Sequence, residues 1–139
     1  MQRVSDVMTR DVKIARPEQT IRDAAIAMAE GDLGSLPVGE NDRLVGMVTD
    51  RDIVLRAIAK GRGNDTVVRE VMTERIDYCF DDEDVSAIAK KMADLGVHRL
   101  PVISRDKRLV GIVSLSNIAQ TKDHGASAET LLKGVATPH

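Results

Sequence analysis

Hydrophobic and polar positions along this chain form two patterns, and each pattern occurs twice. The first has the i, i+3, i+4, i+7 spacing of one apolar helix face. Its members are Ile21, Ala24, Ala25 and Met28 in the first half of the chain and Val85, Ile88, Ala89 and Met92 in the second. The spacing predicts one helix per half. We expect these helices to begin at Thr20 and at Asp82 or Asp84, and to stop at Gly31 and Gly96.

The second pattern consists of short Val- and Leu-rich runs separated by polar turns. "SLPV" and "RLVGMVT" are followed later by "RLPVI" and "RLVGIVS", and both pairs predict a β-hairpin. "KIA" and "DYCF" predict one further strand ahead of each first helix. A second helix is expected after each hairpin, from Asp50 to about Lys60 and from Leu115 to about Lys122.

Each half is therefore predicted to be a β-α-β-β-α repeat of α/β (α+β) class. "VSDVMT" and "VREVMT" extend the duplication to the start of each repeat. We place the first repeat at residues 4–61, a Gly-rich polar linker at 62–67, the second repeat at 68–122 and an unmatched C-terminal tail at 123–139. Units this small have one sheet face to cover, so we expect them to pack sheet to sheet with pseudo-two-fold symmetry.

Composition and charge exclude several classes of function. The net charge is −2, from 20 basic and 22 acidic residues that are interspersed, which disfavours binding to nucleic acid or anionic lipid. Tyr78 and Phe80 are the two aromatic residues, too few to stack successive bases. The sequence has no apolar run of membrane-spanning length and no signal-like stretch, and its single Cys79 cannot form an internal disulfide. We therefore expect a cytoplasmic location.

The two copies keep a scaffold but differ in polar residues. "RLVGMVTDRDI" returns as "RLVGIVSLSNI", so that Thr49 and Asp52 become Ser114 and Asn117. Thr-x-x-Asp at a strand-to-helix junction is typical of a capping box. It also suits ligand binding, for which we take Gly46 as the place where a ligand approaches the backbone. One residue pair can serve both roles.

These repeated motifs, with "HRLPV" before the second hairpin, resemble the paired CBS domains, and in particular stand-alone bacterial two-repeat proteins. The resemblance implies a homodimeric regulatory module that binds an adenosine-containing ligand between repeats. It implies that Thr49 and Asp52 hold ribose hydroxyls and that His98 and Arg99 contact phosphate. The other cleft would pair Ser114 and Asn117 with Gly34 and Ser35, and without a carboxylate it should bind weakly or not at all.

Other residues have a functional and a structural interpretation. Arg51 is either a phosphate contact or a solvated side chain. Val12, Ile14 and Met47 are candidates for an adenine pocket, although a core position is the preferred interpretation of each. Met8 and Met72 are expected in the core. His98, His124, His139 and Cys79 lack ligand-like spacing, so we expect no metal site.

No catalytic constellation is recognisable, and we predict a protein that is not an enzyme. The predicted ligand is AMP, ADP, ATP, NAD or a related adenosyl compound, with AMP favoured, acting as a regulatory ligand and not as a required cofactor. The alternative is a ligand-free CBS dimer that acts as a protein-interaction module. Either function implies an effector protein that the sequence does not identify.

Overall fold

The computed structural model describes residues 2–120. In chain order its elements there are α1 (Val4–Val7), α2 (Ile21–Gly31), β1 (Ser35–Glu40), β2 (Arg43–Thr49), α3 (Asp50–Arg56), β3 (Cys79–Phe80), α4 (Val85–Leu95), β4 (Arg99–Ile103), β5 (Leu109–Ser114) and α5 (Leu115–Ala119). Two 3-10 turns lie at Ile58–Lys60 and Val68–Glu70. The mixture of helices and strands confirms the predicted α/β class. Among the described helices, none is long and apolar enough to cross a membrane.

The described residues form two compact units, and the boundaries of these units differ from those of the sequence repeats. One unit is residues 13–76, and the other combines residues 2–12 with residues 77–120. Each unit thus takes its Val-Met-Thr segment from the opposite sequence copy. The predicted limits of 4–61 and 68–122 describe the duplication of sequence, whereas these units describe which residues share a core.

Backbone pairing and apolar burial hold the exchanged segments in place. In the unit of residues 13–76, Thr73 and Met47 exchange two hydrogen bonds of 2.8 and 2.9 Å. Thr9 and Ile112 do the same in the other unit, also at 2.8 and 2.9 Å. Residues of the two segments are buried in the corresponding cores, namely Val68, Val71 and Met72 in the first unit and Val4 and Met8 in the second. The predicted core positions of Met8 and Met72 are confirmed.

The hairpins form as predicted, but the strand ahead of the first helix differs between copies. β1 pairs antiparallel with β2, and β4 pairs antiparallel with β5. β3 runs parallel to β4, whereas "KIA" provides a single bridge from Ala15 to Val38. This difference in pairing arises two residues after Cys79 and Ala15. Asp81 donates its N–H to the carbonyl of Ile103 at 3.0 Å, and its counterpart Pro17 has no N–H to donate.

The first helix of each copy buries the predicted stripe. In α4 all four stripe residues are buried, while in α2 Ala25 is exposed. Thr20 caps α2 by accepting the Asp23 N–H at 3.1 Å, and α4 begins after Asp84, whose side chain makes no capping bond. Gly96 ends α4 with φ 69°, as predicted. α2 runs through Gly31, and Asp32 adopts the left-handed conformation with φ 52° instead.

The second helix of the first repeat is shorter than predicted. α3 ends at Arg56, and the chain continues as a 3-10 turn that Gly61 closes with φ 76°. The following residues fold back on the start of α2, where the carbonyl of Thr66 accepts the Ile21 N–H at 2.8 Å. The predicted end of the last helix near Lys122, and the tail at 123–139, lie outside the described residues.

Candidate functional site

Thr49 and Asp52 meet where β2 passes directly into α3. The Thr49 Oγ1 accepts the Asp52 N–H at 3.0 Å, and the Asp52 Oδ2 accepts the Thr49 N–H at 3.0 Å. This reciprocal pair is a capping box, which satisfies two backbone donors at the helix start. The structural interpretation of the motif is therefore confirmed, and the Asp52 Oδ1 is not part of the box.

The second copy builds the same geometry without the charge. Ser114 Oγ accepts the Asn117 N–H at 3.1 Å, and the Asn117 Oδ1 accepts the Ser114 N–H at 2.9 Å. Ser114 also donates its hydroxyl to that oxygen at 2.8 Å. The Asn117 Nδ2 donates to Thr9 Oγ1 over 3.5 Å, a contact that a carboxylate at this position could not make as a donor. The two junctions thus share a backbone design and differ in electrostatics.

Strand alternation places Met47 beside this junction. Gly46 and Val48 of β2 are buried, so Met47 and Thr49 lie on the opposite face of the strand. Met47, Thr49 and Asp52 are all half-buried, and Arg51 is exposed. The unit of residues 13–76 therefore has a half-buried carboxylate at Asp52. The apolar side chain of Met47 lies two residues before the helix cap Thr49.

The basic pair lies in the other unit. Arg99 opens β4 opposite Ser114, and the carbonyl of His98 accepts the Leu115 N–H at 2.8 Å. Both side chains are exposed, and neither has a hydrogen bond or an ion pair within the described part of the chain. The structure thus brings His98 and Arg99 next to Ser114 and Leu115, at the start of the helix that carries Asn117. Their predicted partnership with Asp52 across the repeats stays a prediction.

Gly34 and Ser35 occupy the corresponding places beside Thr49 and Asp50. Ser35 opens β1 opposite Thr49, and the carbonyl of Gly34 accepts the Asp50 N–H at 3.0 Å. In each unit, the polar strand-to-helix junction therefore lies beside two residues, and the charge of these residues differs from that of the junction. The acidic junction has small neutral neighbours, and the neutral junction has basic neighbours.

Two expectations about apolar and small residues are wrong. Ile14 is 41% exposed, and Val12 and Met47 are half-buried, so the preferred core interpretation fails for these candidate adenine contacts. The space over Gly46 is filled by the protein itself. A Cβ there would lie 2.8 Å from Met72 Sδ and 3.0 Å from the Thr73 carbonyl oxygen. Gly46 admits the Val-Met-Thr segment and not a ligand.

Sequence reasoning missed Arg56 as a neighbour of the candidate site. Its Nε lies 3.7 Å from Asp52 Oδ1. Its Nη1 donates to the carbonyls of Val71 and Met72 at 3.3 and 3.4 Å. The signal that could have identified it is the spacing of four residues from Asp52, which places two side chains on one helix face.

Metal coordination receives no support from the described residues. Within 2–120 there is no group of three or more His, Cys, Asp or Glu side chains arranged to hold an ion. Two of the three histidines in the sequence, His124 and His139, lie outside this range. The expected absence of a metal stays a prediction.

Comparison with known proteins identifies the repeated unit. A family model described as the CBS domain matches residues 4–58 and 68–122. Hypoxic response protein 1 of Mycobacterium tuberculosis is 36% identical over 135 residues, which are 96% of this chain and 93% of that protein. Similarity therefore extends over both copies.

Solved structures share the fold. Hypoxic Response Protein I with two coordinated zinc ions has a TM-score of 0.75 at 36% identity, and the match covers 86% of this chain and 98% of that one. The CBS domain pair of protein MJ0100, in complex with 5-methylthioadenosine and S-adenosyl-L-methionine, gives 0.70 at 28% identity, covering 86% and 94%. CBSX2 in complex with AMP gives 0.72 at 28%, covering 84% and 93%.

Two matched copies cover most of the sequence, and a relative spans nearly all of it at more than a third identity. The chain therefore belongs to the CBS domain family and carries a tandem pair of CBS domains.

Proposed function

We propose that this protein is a regulatory module that binds an adenosine-containing ligand at the Thr49–Asp52 junction. The observation that carries the proposal is the comparison of the two junctions. Asn117 completes its capping box with the same bonds that Asp52 makes, at 2.9 and 3.0 Å to the preceding cap N–H. Capping therefore does not require the carboxylate. The charge at Asp52 is available for a ligand hydroxyl, to which an ionised acceptor bonds about twice as strongly as a neutral one.

Two structural neighbours support the chemical class of the ligand. CBSX2 was solved with AMP, and the MJ0100 pair was solved with 5-methylthioadenosine and S-adenosyl-L-methionine. These molecules share adenosine and differ in what is attached to its ribose. A ribose-binding carboxylate is the chemistry that such ligands have in common, and AMP remains the favoured ligand.

The remaining residues of the proposed site follow from ligand chemistry. The adenosine ribose is assigned to Thr49 and Asp52. A phosphate is assigned to exposed side chains that carry donors, namely His98, Arg99 and Arg51. Adenine is assigned to the partly exposed apolar residues Val12, Ile14 and Met47. Ser114 and Asn117 form the weaker second site.

Thermal unfolding of ligand-stripped protein tests this assignment. AMP, ADP, ATP, NAD and S-adenosylmethionine are each added over a concentration series that extends to a hundred times the dissociation constant being tested. A true ligand then stabilises the fold by about 2.7 kcal/mol, which raises the midpoint by about 5 °C or more in a chain of this size. We expect a shift for at least one of them that Asp52→Asn removes.

A matched control separates ligand binding from a general effect of an Asp→Asn change in the first turn of a helix. Thr20 and Asp23 have the same spacing at the start of α2, and Thr20 accepts the Asp23 N–H. Asp23→Asn makes the same chemical change at a helix start where no ligand is proposed, so it should leave the ligand shift intact. A shift that survives Asp52→Asn would reject Asp52 as the ribose contact. Turnover of the nucleotide would reject a purely regulatory role.

A second candidate function is supported by one surface feature. Val54 and Leu55 of α3 are 54% and 44% exposed, and Ile58 in the next turn is 55% exposed. Large apolar side chains exposed side by side are typical of protein contact surfaces. A homodimer or an effector protein could cover them. This interaction module predicts no thermal shift with any of the five ligands.

A further inference from the structure

Arg56 connects two parts of its unit that the ligand proposal treats separately. It lies one helical turn after Asp52, with Nε 3.7 Å from Asp52 Oδ1. The same guanidinium donates through Nη1 to the carbonyls of Val71 and Met72. One side chain therefore contacts both the candidate ligand carboxylate and the segment that crosses β2.

The oxygen that Arg56 faces is the one available to a ligand. Asp52 Oδ2 is occupied by the Thr49 N–H in the capping box. Oδ1 is left to accept a ribose hydroxyl, and it lies opposite the Arg56 Nε. At 3.7 Å this ion pair is longer than a charge-assisted hydrogen bond of about 2.7–2.9 Å. Arg56 thus orients the oxygen without saturating it.

The segment at the other end of Arg56 is locked to the same strand that carries the site. Thr73 exchanges both backbone hydrogen bonds with Met47, which lies two residues before Thr49. Met72 covers Gly46 on that strand. The Arg56 bonds to this segment measure 3.3 and 3.4 Å, at the long end for N–H···O bonds, so they can tighten.

The second copy lacks the whole arrangement. Aligning "RLVGMVTDRDIVLR" with "RLVGIVSLSNIAQT" places Thr121 where the first copy has Arg56. Asn117 instead contacts Thr9 directly. The carboxylate and the arginine are therefore present together in one copy and absent together from the other, although capping requires neither.

We propose that Arg56 is a positioning residue that couples occupancy of Asp52 to the order of residues 71–73. This proposal rests on the proposed ligand function. A hydroxyl bound to Oδ1 fixes Asp52, which fixes the guanidinium and shortens its bonds to the Val71 and Met72 carbonyls. Coupling is reciprocal, so removing this link weakens ligand binding as well.

Calorimetry and amide hydrogen exchange on the full chain test the coupling, with AMP and S-adenosylmethionine as probes. Arg56→Met keeps an apolar stem and removes the donors, and Arg56→Lys keeps the charge but cannot span both partners. We expect the ligand to slow exchange of the Met72 and Thr73 amides in the wild type. Arg56→Met should weaken binding about tenfold, within the usual range for coupled sites, and abolish that response. Arg56→Lys should retain binding better than Arg56→Met and still lose the response.

Arg22→Met is the matched control. Arg22 is an exposed helix residue of the same unit, and its side chain has no hydrogen bond or ion pair within residues 2–120. It should leave affinity and the exchange response unchanged. Binding through Asp52 with no exchange response at 71–73 would overturn the role of Arg56 and leave the ligand function standing. Normal affinity in Arg56→Met would do the same. No binding of either probe to the wild type would overturn both proposals.

Discussion

Burial decides the chemistry of the single cysteine at the residue scale. Cys79 is completely buried in β3, and desolvation, followed by the negative charge of Glu83, raises the pKa of its thiol from 9.0 to about 12. The thiol therefore stays protonated in the folded protein at neutral pH. Thiolates and not thiols are the reactive form, so we expect Cys79 to be inert toward alkylating reagents in the native state.

The same shift predicts a pH dependence of stability. Above pH 9 the unfolded thiol loses its proton while the folded thiol keeps it, so unfolding releases a proton and the free energy of unfolding falls as pH rises. The fall ends near pH 12, and its slope is at most about 1.4 kcal/mol per pH unit. Chemical denaturation of the wild type and Cys79→Ala from pH 8 to pH 11 measures it. The stability difference between them should shrink above pH 9, whereas a constant difference would contradict the assigned burial.

The two candidate residues most visible in the sequence were also those with the firmest local geometry. Thr49 and Asp52 lie at a junction whose spacing fixes their bonds, and Ser114 and Asn117 follow by repetition. The sequence does not predict the contacts of Arg56 with the Val71 and Met72 carbonyls, because these lie on the exchanged segment, which begins the other sequence copy. The role of Gly46 is hidden in the sequence for the same reason, since the sequence does not show which segment crosses the strand.

At the scale of elements, Gly46 lies where the Val-Met-Thr segment crosses the β1–β2 hairpin. Any side chain at Gly46 meets Met72 and the Thr73 backbone. Gly46→Ala should therefore destabilise the fold by about 1–3 kcal/mol, the usual cost of overpacking. Gly34→Ala is the matched control in the same hairpin region, because the nearest atom to its Cβ would be Asp50 Oδ2 at an ordinary 3.5 Å.

Urea denaturation of both variants measures the difference. Gly34→Ala should change the free energy of unfolding by less than about 0.5 kcal/mol. Equal losses in the two variants would indicate that general backbone effects, and not the crossing segment, set the requirement for glycine. A Met72→Ala background should partly rescue Gly46→Ala, because it removes the closer of the two contacts.

The local sequence pattern predicts the helices and hairpins, and single residues explain where the structure deviates from that prediction. The hydrophobic stripe of α4 is buried as predicted, and Gly96 ends that helix. Pro17 shortens the strand that Asp81 allows in the other copy. α2 ends one residue later than expected because Asp32, and not Gly31, takes the left-handed conformation. Propensity favours glycine there, but it does not fix the last residue of a helix.

At the scale of the whole molecule, the sequence repeat and the folding unit are offset. Residues 66–76 supply Val68, Val71 and Met72 to a core otherwise built from residues 13–60. A fragment cut at the limits of the sequence repeat lacks these side chains and exposes the edge of β2 that pairs with Thr73. A fragment cut at the limits of the compact unit keeps them.

Two fragments of equal length test which boundary governs folding, residues 13–76 and residues 1–64. We expect 13–76 to show helical circular dichroism and a cooperative thermal transition, and 1–64 to show neither, because large buried side chains contribute about 1.5–3 kcal/mol each to a marginal domain. Substituting Val71→Asp in 13–76 should abolish its transition, which ties the result to the exchanged segment and not to where the fragment is cut. Cooperative unfolding of 1–64 would instead show that the first sequence copy carries a sufficient core without residues 66–76.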